Sequence, residues 1–170
     1  MATSSLGSHA WQVSNASADG GAKLIAYLSG IKNDSAISAC KVTLHNWTKS
    51  ALLAAPPSRV RVVEVGSGLG EDLSATHALL ADGETAVGLE PNQDLLAESQ
   101  RRNVAPQKVR FESLRGEEAS RVAEPATVAV VRIERVLQHL PIDAIDAILE
   151  SCVRVLHPEH GRLICCEPNW

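Results

Sequence analysis

The chain has 170 residues, of which 45% are hydrophobic and 21% charged, values typical of a soluble globular domain. Sixteen Lys and Arg against twenty Asp and Glu give a net charge of −4, which argues against a protein that binds nucleic acid through bulk positive charge. Aromatic residues make up 3% of the chain, too few for a base-stacking surface, and no apolar run approaches the roughly 18–20 residues that span a bilayer, so we expect neither a nucleic-acid nor a membrane partner.

The first segment, residues 1–20, is polar and rich in small residues, and we predict that it is a flexible arm. It lacks both a basic and an apolar region, so the sequence predicts no secretory signal and a cytoplasmic location. The four cysteines form no Cys-x-x-Cys motif, and Cys165 and Cys166 are adjacent. Adjacent strand residues point to opposite faces and cannot share a metal, so we expect buried, inert thiols and no metal site.

The next segment, residues 21–57, has a helical pattern and is predicted to form N-terminal helices that lead into the main domain. A short helix over 22–29 precedes a longer one, for which Asp34 is placed as the N-cap and the prolines at 56 and 57 as the end. The apolar stripe of the longer helix is predicted to comprise Ile37, Cys40, Leu44 and Trp47.

From residue 58 to 170 short apolar strands alternate with helices, which predicts a single α/β domain with a doubly wound, mostly parallel sheet. Strands that are apolar on both faces are typical of a parallel sheet covered by helices on both sides. Ligands of such sheets bind outside the carboxyl ends of the strands, near the point where the strand order reverses. The predicted strands are 59–65, 85–89, 109–111, 128–133 and 162–166, and the predicted helices are 71–80, 93–102 and 143–156.

Two features follow the first two strands. The first strand ends in Glu-Val-Gly-Ser-Gly-Leu-Gly at 64–70, where the glycines allow backbone amides to approach a ligand closely. A dinucleotide fingerprint would place its third glycine at position 71, but Glu71 stands there, and an acid at a helix start disfavours a pyrophosphate. The second strand is followed by Glu90, whose carboxylate is able to accept both hydroxyls of a ribose.

Four motifs give the chain a resemblance to the S-adenosylmethionine-dependent methyltransferases of the Rossmann-like class, small-molecule type. They are VEVGSGLGEDL at 63–73, VGLEPNQDLLAES at 87–99, VRIERVLQHL at 131–140 and RVLHPEHGRLICCEPNW at 154–170. They occur in the order and at the spacing of that family, and the resemblance covers about residues 59–170. It implies S-adenosyl-L-methionine as cofactor and a small organic molecule as methyl acceptor.

The resemblance also implies roles for residues of the first two motifs. Gly66, Ser67 and Gly68 would line the methionine part of the cofactor, and Glu64 would brace or contact it. Glu90 would hold the ribose hydroxyls. An acidic pocket suits a sulfonium cation, and in-line methyl transfer mainly requires that the reacting atoms be aligned and water excluded.

The remaining cofactor positions implied by the resemblance are Pro91, Glu117 and Arg132. Pro91 would lie beside the adenine. Glu117 stands where the family commonly has the aspartate of a Gly-Asp-Ala turn that meets the adenine amino group. Arg132, on the fourth strand, would face the cofactor or the acceptor, unless it pairs with a neighbouring glutamate.

Acceptor residues are expected after the fourth and fifth strands. His139 is the candidate general base, needed only where the acceptor must lose a proton, and the alternative is a loop histidine that bonds the backbone. Arg135 is a candidate for binding an anionic acceptor, with pairing to Glu134 or Glu167 as its alternative. Glu167 and Trp170 are predicted to lie on the ligand side of the sheet and to contact the acceptor.

The family normally continues past the fifth strand with another helix and two more strands, whereas this sequence ends at residue 170. We therefore expect either a truncated chain or an exposed sheet edge, which would allow a homodimer. A non-catalytic methyltransferase-like partner or cofactor-binding subunit is the alternative function, and a nucleotide-dependent oxidoreductase is a third. The sequence names neither the acceptor nor the attacking atom.

Overall fold

A computed structural model describes residues 35–167 and, before them, the four helical residues 22, 25, 26 and 29. The predicted arm at 1–20, the predicted cap at Asp34 and the predicted acceptor residue Trp170 lie outside the described residues. The domain boundaries predicted at 20 and 57 stay predictions.

The described residues form a five-stranded sheet in the order β3-β2-β1-β4-β5, in which every neighbouring pair is parallel. The doubly wound α/β fold predicted from the strand–helix alternation is confirmed. The strands are β1 Val60–Val65, β2 Thr85–Leu89, β3 Val109–Glu112, β4 Val130–Glu134 and β5 Arg162–Cys166. The helices are α1 Ser35–Ala54, α2 Glu71–Ser74, α3 Gln93–Arg102 and α4 Ile142–Val155, with 3-10 turns at Ala75–Leu79, Gly116–Arg121 and Leu137–His139.

Two hydrophobic clusters cover the two faces of the sheet. Side chains of β1 point into both clusters. Val62 packs in the cluster with α1, α2 and α3, whereas Val63 and Val65 pack in the cluster with α4. All six residues of β1 are buried, and four of them are valines, as expected of a strand covered on both faces. The chain runs outward from β1 through β2 to β3 and then returns to β4 on the other side of β1, so strand order reverses between β1 and β4.

The helix predicted over 71–80 is only partly correct, because α2 ends at Ser74 and the chain continues as a 3-10 turn. The Thr76 hydroxyl donates to the carbonyl of Leu73 at 2.6 Å, and His77 Nδ1 lies 2.8 Å from the carbonyl of Ser74. Side chains that bond nearby carbonyls in this way compete with the i→i−4 ladder and favour a tighter turn.

The long helix α1 is confirmed, but its buried face differs from the predicted stripe. Leu44, Thr48 and Leu52 are buried, whereas Trp47 is 57% exposed. The end of α1 is held by the buried Arg61 of β1, whose guanidinium donates to the carbonyls of residues 52, 55 and 56. This contact satisfies helix-end carbonyls that have no partner within the helix.

The prediction of inert thiols is wrong for two of the four cysteines. Cys40 of α1 and Cys166 of β5 form a disulfide across 126 residues of sequence. Cys165 points to the other face, as strand alternation requires, and is exposed, whereas Cys152 is free and buried. Sequence spacing did not reveal the pair because it depends on where α1 crosses the end of β5.

The described helices include none that is long and apolar enough to cross a bilayer. Within residues 35–167, no group of three or more His, Cys, Asp or Glu side chains is close enough together to hold a metal ion.

Candidate active site

The glycine loop after β1 lies at the reversal of strand order. The amides of Gly66 and Ser67 both donate to the carbonyl of Leu89, at 2.8 and 3.1 Å, so the loop is fastened to the end of β2. Gly66 has a φ of 67°, a region that side-chain-bearing residues rarely adopt, and a Cβ there would overlap the Val136 side chain. The loop therefore requires glycine at 66 for both backbone conformation and space.

Glu90 extends from the end of β2 onto this loop. One carboxylate oxygen accepts from the amide of Gly68 at 2.9 Å, and the other accepts from the amide of Asn92 at 2.9 Å. The side chain is buried, and this burial raises its pKa while the two backbone hydrogen bonds oppose the rise. A carboxylate offers about four acceptor positions, so about two stay available for a ligand.

Glu64 and Arg132 form a buried ion pair beneath the loop. Arg132 Nη2 donates to Glu64 Oε1 at 2.6 Å, and their side chains are 2% and 5% exposed. Burial raises the pKa of the Glu64 carboxyl to about 7, against the lowering effect of the Arg132 guanidinium, while Asp72 and Glu134 also raise it. The second oxygen of Glu64 is buried and has no hydrogen-bond partner.

The turn after β4 faces the glycine loop and is held by Glu167. Glu167 Oε1 accepts from the amides of Val136 at 2.9 Å and Leu137 at 3.0 Å. Arg135 begins this turn with a φ of 55°, and its amide donates to the carbonyl of Cys166 at 2.9 Å. The turn that carries Val136 against Gly66 is therefore fixed by the end of β5, a role that the sequence did not indicate.

His139 lies at the end of the same turn, half-buried, and its Nδ1 has no hydrogen-bond partner. Burial lowers its pKa, and the negative charge of Glu167 partly offsets this. The imidazole is therefore neutral near pH 7 and able to accept a proton. The alternative of a histidine bonded to the backbone through Nδ1 is not observed.

Buried polar atoms without a partner concentrate at this end of the sheet. Native proteins leave few such atoms unpaired, so a cluster indicates a place for water or a ligand. Of the eight such side-chain atoms found among the described residues, six belong to residues within β1 or β4 or in the segments that follow β1, β4 and β5. They are Glu64 Oε2, Ser67 Oγ, Arg132 Nε, Arg135 Nε, His139 Nδ1 and Glu167 Oε2.

Three other predicted positions are less enclosed. Pro91 follows Glu90 and is exposed. Glu117 lies on the first turn of the 3-10 segment after β3 and is exposed, 3.9 Å from Arg115. Arg135 pairs with Glu134 at 3.0 Å, the alternative considered from the sequence. Asn92, which the sequence offers with Pro91 as one wall for a flat base, caps α3 through its side chain, a role that an Asn directly before a helix signals.

Comparison with known proteins agrees with this geometry. A family model described as a methyltransferase domain matches residues 62–159, more than half of the chain. No curated protein sequence matches the chain.

Solved structures with the same fold include three methyltransferases of low sequence identity. The CurJ carbon methyltransferase superimposes with a TM-score of 0.66 at 19% identity over 79% of this chain and 36% of that one. Geranyl diphosphate C-methyltransferase from Streptomyces coelicolor superimposes with a TM-score of 0.57 at 15% identity, over 88% of this chain and 51% of that one. A SAM-dependent methyltransferase from Leishmania major superimposes with a TM-score of 0.56 at 20% identity, over 92% of this chain and 57% of that one.

This chain thus spans between about a third and three fifths of the length of those proteins. The family match and the sheet order confirm the resemblance drawn from the four motifs. The chain belongs to the methyltransferase-domain family, and it has the Rossmann-like fold of the solved methyltransferases described above.

Proposed function

We propose that this domain binds S-adenosyl-L-methionine across the glycine loop and transfers its methyl group to a small organic acceptor. The observation that carries the proposal is the buried carboxylate of Glu90, which is fixed by the amides of Gly68 and Asn92 beside the loop. Both hydrogen bonds orient the carboxylate before any ligand arrives, and such preorganisation lowers the cost of binding.

The residues present fit this cofactor. Glu90 has acceptor positions left for ribose hydroxyls, and Ser67 Oγ and Glu64 Oε2 are buried polar atoms without partners next to the loop. These atoms would hold the ribose and the methionine part. When bound, the cofactor supplies an electrophilic methyl group on a positively charged sulfur.

The charge at the carboxyl edge of the sheet also favours a cationic ligand. Four of the five strands end in, or are directly followed by, a glutamate, and in β1 the penultimate residue is Glu64. In the described part of the chain, arginines pair with the glutamates of β1, β3 and β4, whereas Glu90 and Glu167 form no ion pair. These two carboxylates therefore leave uncompensated negative charge at the site.

His139 is our candidate for the group that takes a proton from the acceptor. Its lowered pKa keeps the ring unprotonated near neutral pH, and its Nδ1 has no partner inside the protein. Glu167 is near enough to stabilise the ring after it is protonated. This role applies to an acceptor with a hydroxyl or an acidic C–H group, since a neutral amine attacks without prior loss of a proton.

Isothermal titration with S-adenosylhomocysteine tests the cofactor part of the proposal. We expect wild-type protein to bind, and Glu90→Gln to weaken binding roughly 5- to 150-fold, because a charge-assisted acceptor worth about 1–3 kcal/mol is lost. Glu112→Gln is the matched control, because Glu112 is likewise a glutamate at a strand end but is 42% exposed. Absence of binding at millimolar ligand by a folded sample would refute the proposal.

A non-catalytic partner subunit is the second candidate, because β5 pairs only with β4 and forms an edge of the described sheet. A homodimer through this edge is the corresponding interaction. Light scattering after size exclusion tests it: a monomer that binds the cofactor analogue tightly argues against this candidate. The cytoplasmic location stays a prediction.

A further inference from the structure

A cavity of about 250 Å³ lies between α1 and α2, on the face of the sheet away from α4. We propose that it binds a small neutral molecule through a carbonyl oxygen, and that this molecule is the methyl acceptor. The second part rests on the function proposed above. A larger depression, of about 520 Å³, lies on α4 but is lined by residues of that helix alone.

The cavity has an exposed mouth and a buried floor. Val42, Asn46 and Ala75 line it and are exposed, whereas Leu44 and Arg132 line it and are buried. A ligand that enters between the two helices therefore ends against an arginine. The volume is below the roughly 300–1,000 Å³ of sites for drug-sized ligands, which indicates a smaller molecule.

Arg132, which lines the buried floor, carries an N–H group without a partner. Its side chain is 2% exposed, Nη2 donates to Glu64, and Nε has no hydrogen-bond partner. A buried N–H group without a partner is costly to the protein, so an oxygen atom that accepts from it contributes to ligand affinity.

The charges around the cavity favour a neutral ligand over an anion. Above pH 7, where Glu64 is mostly ionised, its carboxylate neutralises Arg132 at 2.6 Å, and Lys41 is paired with Asp72 at 2.7 Å. A carboxylate brought to this floor would lose its hydration without gaining an unpaired cation. A ketone, ester or amide oxygen has a far smaller desolvation cost and satisfies the same N–H group.

The floor is also close in sequence to the glycine loop. Glu64, the partner of Arg132, is two residues before Gly66. A molecule that reaches the buried ion pair therefore lies next to the strand end from which the loop begins. This proximity is our reason for identifying the ligand with the acceptor.

The test uses three probes of similar size: acetophenone, which has a carbonyl, benzoate, which is anionic, and ethylbenzene, which has no oxygen. The readout is the Nε–Hε NMR signal of Arg132, assigned by its loss in Arg132→Lys. We expect a saturable shift with acetophenone, at least about tenfold weaker binding of benzoate, and no comparable shift with ethylbenzene. The absence of a saturable acetophenone shift, or equal binding of benzoate, would overturn the proposal.

A filling variant locates the bound probe. Ala75→Phe should reduce acetophenone affinity at least about tenfold, whereas Ala78→Phe should not, because Ala78 is exposed on the same 3-10 turn but does not line the cavity. If Ala75→Phe fails to fold, Asn46→Trp closes the mouth from α1 and provides the same test. Equal affinity in a folded filling variant and the wild type contradicts the assignment.

Titration with S-adenosylhomocysteine separates this inference from the proposed function. Acetophenone binding without analogue binding would leave the carbonyl-binding cavity standing and refute its role as acceptor site. Analogue binding without acetophenone binding would refute the cavity proposal alone.

Discussion

Replacing Gly66 with alanine is expected to lower the free energy of unfolding by about 2–5 kcal/mol. The residue has a φ of 67°, and forcing a side-chain-bearing residue into the left-handed region costs about 1–2 kcal/mol. The new Cβ would also overlap a methyl group of Val136, and overpacking of this kind costs about 1–3 kcal/mol. A domain of ordinary stability, about 5–15 kcal/mol, would stay folded but marginal.

Two further variants separate the backbone cost from the overlap. Gly83→Ala is the matched control, because Gly83 has a φ of 81° with no atom within 4 Å of the added Cβ, so only the backbone cost of about 1–2 kcal/mol applies. Val136→Ala should restore space: in that background Gly66→Ala should cost about 1–2 kcal/mol rather than 2–5. Val136→Ala alone should cost about 1–2 kcal/mol for the lost methyl groups.

Urea unfolding followed by circular dichroism measures all four variants, with unchanged slopes showing that stability alone has changed. Equal losses for Gly66→Ala and Gly83→Ala would show that Val136 does not press on the loop. Failure of Val136→Ala to reduce the cost of Gly66→Ala would refute the geometry of the turn as described.

Two other predictions concern buried groups. The pKa of Glu64, about 7 in the fold against an ordinary 4.5, implies stability that is fully present below pH 4.5 and lost as pH rises through 7. The unfolding free energy of wild type relative to Glu64→Gln should therefore fall by up to about 1.4 kcal/mol per pH unit between these values. Glu98→Gln is the control: the pKa of Glu98 is lowered to about 2, so the difference in unfolding free energy between wild type and this variant should not change above pH 4.5. If the difference between wild type and Glu64→Gln also stays constant with pH, the argument that burial raises the pKa of Glu64 is wrong. For the disulfide, Cys40→Ser should cost about 2–5 kcal/mol in oxidising buffer and nothing in reductant, and labelling of Cys166 by iodoacetamide in the unreduced protein would disprove the bond.

The fold was predictable from the sequence because its strongest signals are local. Strands β2 and β5 have the predicted bounds, and so does α3, since each is an apolar or periodic run bounded by turn residues. The glycine loop and Glu90 were also found, because their positions directly after two strands follow from chain order in a parallel sheet.

Contacts between distant segments were not predictable in the same way. Glu167 holds the turn at 136 and 137 across about 30 residues of sequence, and Arg132 chooses Glu64 rather than the nearer Glu134. The first contact depends on the register between β4 and β5, where Glu134 pairs with Cys166, and the second on the register between β1 and β4, where Glu64 and Arg132 are directly paired. Without that register, the sequence does not distinguish Glu64 from the other acidic residues that Arg132 would be able to pair with.

The way in which the two unpaired glutamates are held is the strongest structural argument for a cationic ligand. Glu90 and Glu167 are each fixed by two backbone amides, and in the described part of the chain neither is neutralised by a basic side chain. Amide donors orient a carboxylate without cancelling its charge, whereas an arginine would do both. Burial of such carboxylates without a basic partner is unfavourable for the isolated domain. A positively charged ligand that binds beside them offsets this desolvation cost, and the offset contributes to its affinity.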